Sequence, residues 1–132
     1  IEVRELNDGP LDRIYYLQEM ITRPPRDIRA ISVGDQLIAA MYRTSTGGFK
    51  TNIALGAEPI ACEITKELED ICMKASKAVG GGILGIDIME DEKRGFVVHE
   101  VNNTVEFKGL AKVAKKNIPK EMIDYAVNCA KR

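Results

Sequence analysis

Cysteine, histidine and aromatic residues are scarce in this sequence, and their scarcity excludes several kinds of site. The 132 residues include three cysteines, one histidine and 5% aromatic residues. The cysteines are odd in number and none forms a CxxC pair, so neither a disulfide framework nor a zinc site is indicated. We therefore expect reduced thiols in a cytoplasmic protein. No basic stripe accompanies the tyrosines, so they do not indicate a platform for stacking nucleic-acid bases.

An excess of one charge and a long apolar run are also missing. Lys and Arg number 19 against 20 Asp and Glu, so no overall charge attracts the chain to nucleic acid or to a membrane surface. No apolar run approaches the roughly 18 residues that a membrane helix needs. We expect neither a nucleic-acid partner nor a membrane partner. The apolar content of 45% is nevertheless enough for one hydrophobic core in a chain of this length.

The order of apolar patterns predicts strands, a helix, further strands and a second helix. This order is typical of an α+β fold with an antiparallel sheet. Strands are predicted at 14–20, which reads as a buried strand, and at 27–33, 36–43, 83–90 and 96–101; helices are predicted at 60–79 and 119–132. Gly34 and Asp35 suit the tight turn of a hairpin. The core-facing stripe predicted for the second helix is Met122, Ile123, Ala126 and Val127.

The last predicted hairpin places two carboxylates opposite each other. If Asp91 and Phe96 close a four-residue loop, Asp87 lies directly opposite Glu100. Like charges in such a pair are destabilising unless a positive charge lies between them. Asn102 lies on the same strand face as Glu100 and adds an oxygen, and this set of ligands suits Mg²⁺. From the pattern alone, two solvated carboxylates on the outer face of a hairpin remain the alternative.

Several motifs in combination resemble those of the RimK-like group of ATP-grasp ligases. They are YYLQEM, RDIRA, VGDQLIAAMYR, GFKTNIALGA and GGILGIDIMEDEKRGFVVHEVNNTVEFKG, and they span nearly the whole chain. The run NTVEF resembles most closely the ligases that attach an amino acid to an acidic amino-group carrier protein in lysine and arginine biosynthesis. The resemblance implies an ATP-grasp fold, with residues 1–132 as its C-terminal portion. An N-terminal domain and the first part of the ATP-grasp region are expected outside this chain, which alone should be inactive.

The resemblance also implies cofactors and site residues. The cofactors are ATP and two Mg²⁺ ions, with Asp87, Glu100 and Asn102 as the metal ligands. The residues implied in ATP binding are Glu19, Met20, Asp27, Lys50, Thr51 and Asn52. Those implied in substrate binding are Arg43, Asn52, Thr104 and Glu106. Arg43 and Lys50 are the implied catalytic cations; lysine at position 50 departs from the expected arginine and lacks its bidentate fork.

The implied reaction joins α-aminoadipate or glutamate, through its amino group, to the C-terminal glutamate side chain of the carrier protein. ATP first converts the carboxylate to an acyl phosphate, and the amine then displaces phosphate. A RimK-type glutamate ligase acting on another protein or on a cofactor is the alternative enzyme. A non-catalytic nucleotide-binding module is a third hypothesis. The sequence leaves open which amino acid is used and whether the protein is a homo-oligomer.

Overall fold

Strands and helices follow one another in the predicted order. The computed structural model of the chain describes residues 2–5, 15–44 and 59–131. In chain order its elements are β1 (Glu2–Glu5), β2 (Tyr15–Gln18), β3 (Arg26–Val33), β4 (Gln36–Thr44), β5 (Ile60–Ala61), α1 (Lys66–Ala78), β6 (Ile83–Asp91), β7 (Gly95–Asn102), a 3₁₀ helix (Leu110–Lys112) and α2 (Ile118–Ala130).

A five-stranded antiparallel sheet with the order β5-β4-β3-β6-β7 forms the centre of the fold. The sheet confirms the predicted α+β class. The β3–β4 hairpin turns at Gly34 and Asp35 as predicted, with Gly34 at a φ of 62°, a conformation that glycine adopts without a steric penalty.

A separate two-stranded sheet of β1 and β2 lies outside the central sheet. The sequence analysis did not predict β1. It correctly placed a strand at β2, but the prediction that this strand is buried is wrong for Leu17, which is 64% exposed. Within the described residues β2 pairs only with β1, so Leu17 lies outside the central sheet.

The two faces of the central sheet carry two apolar clusters, because successive strand residues point to opposite faces. On one face, Ile28 and Ile86 of the sheet pack with Leu68 and Cys72 of α1. On the other face, Ile31 packs with residues of the 3₁₀ helix and α2. The sheet therefore lies between helices. Among the described residues, neither α1 nor α2 has the length and apolar character of a membrane-crossing helix.

Both helices differ from prediction in detail. The first begins at Lys66 rather than residue 60, because Thr65 caps it by accepting a hydrogen bond from Leu68 N at 3.2 Å. Ile60 instead pairs with β4 as part of β5. In α2 the predicted core stripe is wrong for Ile123, Ala126 and Val127. Ile123 and Val127 are 63% and 45% exposed, and Ala126 is exposed as well. The side chains of α2 that pack on the sheet are those of Ile118, Met122 and Tyr125.

Candidate active site

The β6–β7 hairpin brings the predicted carboxylates together. Asp87 and Glu100 lie directly opposite each other, as predicted. The predicted four-residue loop is wrong, because Asp91 pairs with Gly95 and the loop is one residue shorter. A β-bulge leaves His99 without a partner in the ladder and restores the register. Without that bulge, His99 would face Asp87.

A cluster of four charged side chains lies on the sheet face that carries Asp87. It consists of Asp27 and Arg29 of β3, Arg43 of β4 and Asp87 of β6. The two arginines alternate with the two carboxylates: Arg43 forms two hydrogen bonds with Asp27, at 2.7 and 2.9 Å. Its Nη2 also lies 3.1 Å from Asp87 Oδ2, while Arg29 Nε lies 3.0 Å from Asp87 Oδ1. The register explains this arrangement, since Asp27 is opposite Arg43 and Arg29 is opposite Asp87.

Burial strengthens the electrostatic interactions between the charged side chains of this cluster. Asp27 and Asp87 are 4% and 6% exposed. Burial raises the pKa of Asp87, and the cations of Arg43 and Arg29 oppose that rise without cancelling it. Burial would lower the pKa of Arg43, but its bonds to Asp27 and its attraction to Asp87 raise it overall. The positive charge beside Asp87 is therefore supplied by two arginines.

Arg29 is a residue of this cluster that the sequence analysis missed. Its signal was present in the motif RDIRA, because Arg29 stands two residues after Asp27 and must share its strand face. What the motif could not show is that β6 places Asp87 directly opposite Arg29.

The residues present fit a hard cation. Asp87 Oδ1 is buried and has no hydrogen-bond partner. The 3.0 Å approach of Arg29 Nε to this oxygen is an ion-pair contact without hydrogen-bond geometry. Buried polar atoms without a hydrogen bond are rare in folded proteins. Glu100 is exposed beside it, and Asn102 is two residues further along the strand.

No group of three or more His, Cys, Asp and Glu side chains suited to a metal occurs in the described ranges. The predicted ligand set contains two carboxylates and one amide, which suits Mg²⁺ because this ion uses few protein carboxylates together with waters and phosphates. Asp87, Glu100 and Asn102 remain predicted ligands.

The predicted adenine hinge contacts the turn of the same hairpin. Glu19 and Met20 follow β2 directly and are exposed. Glu19 Oε2 lies 3.5 Å from Arg94 Nη1, and the backbone N–H of Glu92 donates to Thr22 O at 3.1 Å. The hinge segment is therefore attached to the turn of the hairpin whose two strands carry Asp87 and Glu100.

The predicted substrate residues show two different placements. Thr104 and Glu106 are exposed, whereas the alternating residues Val105 and Phe107 pack against the apolar cluster beneath α2. The NTVEF run is thus anchored to the core while its polar side chains face outward. Arg43, by contrast, is only 14% exposed and is held by Asp27 and Asp87.

Lys50, Thr51 and Asn52, which were predicted to contact phosphate and substrate, lie outside the described residues. Their roles stay predictions.

Comparison with known proteins gives a consistent set of matches. The model of the RimK-like ATP-grasp domain matches residues 2–126. The alpha-aminoadipate–LysW ligase LysX of Saccharolobus solfataricus is 36% identical over 132 residues, which are 100% of this chain and 48% of that protein. The tetrahydromethanopterin:alpha-L-glutamate ligase of Methanococcus maripaludis is 43% identical over 121 residues, covering 89% of this chain and 41% of that protein.

A solved structure of the ATP-grasp ligase PsnB, complexed with a phosphomimetic variant of a minimal precursor, Mg and ADP, superposes with a TM-score of 0.64. It is 25% identical, and the match covers 81% of this chain and 33% of that one. The chain thus spans about half the length of the curated relatives it matches, or less.

Proposed function

The chain belongs to the RimK-like ATP-grasp family, and on this basis we propose that the full-length protein is an ATP-dependent carboxylate–amine ligase. It joins the amino group of α-aminoadipate or glutamate to the C-terminal glutamate side chain of an acidic carrier protein. The family predicted from the motifs is confirmed. The name of the Saccharolobus relative, alpha-aminoadipate–LysW ligase, supports this choice of amino acid and acceptor. We also propose that residues 1–132 are the C-terminal portion of the ATP-grasp region.

One observation of the structure carries this proposal. Asp87 and Glu100 face each other at the edge of a cluster that also holds two arginines. Asp87 Oδ1 is buried, accepts no hydrogen bond and has Arg29 Nε at 3.0 Å. Together with the exposed Glu100 carboxylate opposite it and the Asn102 amide, it supplies the oxygen ligands that suit Mg²⁺.

The reaction proceeds in two steps in this proposal. An oxygen of the acceptor carboxylate attacks the γ-phosphorus of ATP, so that an acyl phosphate forms and ADP leaves. The amino nitrogen then attacks the acyl carbon, the bond to the phosphate oxygen breaks, and the nitrogen loses a proton. Asp87, Glu100 and Asn102 would hold two magnesium ions, which would neutralise charge at the ATP phosphates when bound.

The chain's own side chains bind and orient the reactants. Arg43 and Lys50 offset negative charge near the transferring phosphoryl group. Asp27 fixes Arg43 through two hydrogen bonds and so defines the direction of its guanidinium. The Glu106 carboxylate accepts a hydrogen bond from the ammonium of the amino acid before that group is deprotonated for attack. Its exposure, next to the anchored Val105, leaves it available for this contact.

A second enzymatic function is a glutamate ligase acting on another protein or on a cofactor. The Methanococcus relative favours this alternative, because it is 43% identical and its name combines a cofactor with α-L-glutamate. The two functions share ATP and metal chemistry and differ in the acceptor.

Mass spectrometry of the full-length protein's products tests the proposal. The protein is incubated with ATP, Mg²⁺ and either α-aminoadipate or glutamate, with an acidic carrier protein ending in glutamate or with tetrahydromethanopterin as acceptor. We expect the carrier to gain one amino-acid residue. Modification of tetrahydromethanopterin alone would establish the alternative. The absence of ATP turnover in every mixture would favour a non-catalytic module.

A further inference from the structure

At position 85 the space left for a side chain favours glycine. Gly85 lies in β6 two residues before Asp87, on the same face, and pairs with Ile31 on one side and Asn102 on the other. Its φ is not positive, unlike that of five other described glycines, so the backbone does not require glycine there. A Cβ atom at this position, however, would lie 2.9 Å from Arg29 Nη1.

The guanidinium of Arg29 uses the space that the glycine leaves. Its Nε lies 3.0 Å from Asp87 Oδ1, while its Nη1 lies above Gly85. The same Cβ would lie 4.0 Å from the backbone oxygen of Asn102. The Arg29 guanidinium thus reaches from β3 over β6, where it contacts Asp87 and lies above Gly85. The Arg29 side chain is 17% exposed.

We infer that Gly85 is a positioning residue for the ligase reaction, acting through Arg29 to hold Asp87. This inference rests on the proposed function. A methyl group at position 85 must displace the guanidinium, because the 2.9 Å separation is shorter than any normal contact of a Cβ atom. The atom displaced is the far end of a flexible side chain, so the fold should survive. The shift would disturb the contact of Arg29 Nε with Asp87 Oδ1 and leave that of Arg43 Nη2 with Asp87 Oδ2 in place.

The expected effect of Gly85→Ala is on turnover. A misplacement of about 1 Å can cost up to roughly a hundredfold in rate; the guanidinium has to move by less than that to reach ordinary contact, so we expect kcat to fall by about three- to tenfold. KM for the amino acid should change less than kcat. Gly85 pairs with Asn102, directly before the NTVEF run, but the three atoms nearest to the added Cβ belong to Arg29 and Asn102 and not to that run.

A double-mutant cycle in the full-length enzyme tests the inference. Gly85→Ala, Arg29→Ala and the double variant are compared by kcat, and we expect Gly85→Ala to add nothing in the Arg29→Ala background. Arg26→Ala provides the matched control, because Arg26 lies on the same strand but pairs with Glu90 on the opposite face. In the Arg26→Ala background, Gly85→Ala should lower kcat by the same factor as in the wild-type enzyme. An equal loss in the Arg29→Ala background would overturn the inference.

Arg29→Lys gives a second arm, because lysine keeps the cation but has no Nη1 atom. Gly85→Ala should cost little in this background, and a full loss there would contradict the inference. If Gly85→Ala alone does not fold, recovery by Arg29→Lys supports the inference and failure to recover overturns it.

The wild-type protein distinguishes a failure of the proposed function from a failure of this inference. If the wild type forms no product, the same double-mutant cycle is measured by the urea concentration at the midpoint of unfolding. Additive effects of Gly85→Ala and Arg29→Ala on that midpoint would then overturn the inference.

Discussion

Replacing Arg43 with alanine removes the cation that two buried carboxylates share. The Arg43 guanidinium forms hydrogen bonds of 2.7 and 2.9 Å with Asp27 and lies 3.1 Å from Asp87. Removing one partner of a buried ion pair costs about 3–5 kcal/mol, because a buried charge is left uncompensated. Arg29 still pairs with Asp87 in the variant. We therefore expect a loss near the lower end, about 3 kcal/mol of unfolding free energy.

Arg26→Ala is the matched comparison. Arg26 also forms two hydrogen bonds to one carboxylate, that of Glu90, at 2.7 and 3.0 Å, and its guanidinium lies 4.0 Å from the ring centre of Tyr42. Its side chain is 38% exposed, however, against 14% for Arg43. Exposed ion pairs contribute about 0–1 kcal/mol, and an exposed cation–π contact about 0.5–1 kcal/mol. The loss should stay under about 2 kcal/mol.

Urea unfolding of the full-length variants, with hydrogen exchange of β3 and β4 as the local measurement, checks this ranking. The pH dependence gives an additional test. Burial raises the pKa of Asp87 and Arg43 opposes that rise, so the pKa should be higher still without Arg43. The folded variant then binds a proton that the unfolded chain lacks, and its deficit should shrink as pH falls toward the ordinary aspartate value of about 4. Equal losses for the two variants, or a deficit independent of pH, would refute the reasoning.

Three further predictions concern substrate, phosphate and thiols. Glu106→Gln should lose a charge-assisted hydrogen bond and reduce kcat/KM for the amino acid by about ten- to hundredfold; steady-state kinetics should show no change for ATP, and a defect confined to ATP would remove Glu106 from the substrate site. Lys50→Ala should weaken acyl-phosphate formation while Lys50→Arg keeps it, and rapid-quench measurement that finds the two equally damaging would exclude the phosphate role. Cys129 is exposed, whereas burial raises the pKa of the Cys72 thiol to about 12. Peptide mass spectrometry after brief alkylation should therefore find Cys129 modified and Cys72 intact. Equal labelling of the two thiols would contradict the described packing.

The β6–β7 hairpin shows what sequence reasoning can and cannot resolve. The pairing of Asp87 with Glu100 was predicted correctly, but through a loop one residue too long and without the bulge. Backbone N–H groups of Lys93 and Arg94 donate to Asp91 Oδ1 at 2.9 and 2.8 Å and stabilise the shorter turn. A side-chain bond of this kind can be expected from aspartate in a turn, whereas a bulge leaves no comparable signal in the apolar pattern.

The orientation of α2 was beyond the reach of periodicity. Its apolar residues occur on two sides of the helix, so helical spacing fits Ile123 and Val127 as well as Ile118 and Met122. Only the position of the sheet decides which side is buried. The same limit applies to Arg29, whose role depends on the register of a strand more than fifty residues away in sequence.

The most direct test of the proposed ligase is Glu100→Gln in the full-length protein. Glu100 is exposed, and Asp87 opposite it is already held by Arg29 and Arg43. The substitution should therefore change the free energy of unfolding by no more than about 0.5 kcal/mol. Mass spectrometry of the carrier protein should show that amino-acid attachment is lost while the variant stays folded, because one of the two carboxylates that hold the cation is gone. Attachment at the wild-type rate would contradict the assignment of Asp87, Glu100 and Asn102 as the metal site on which the proposed function depends.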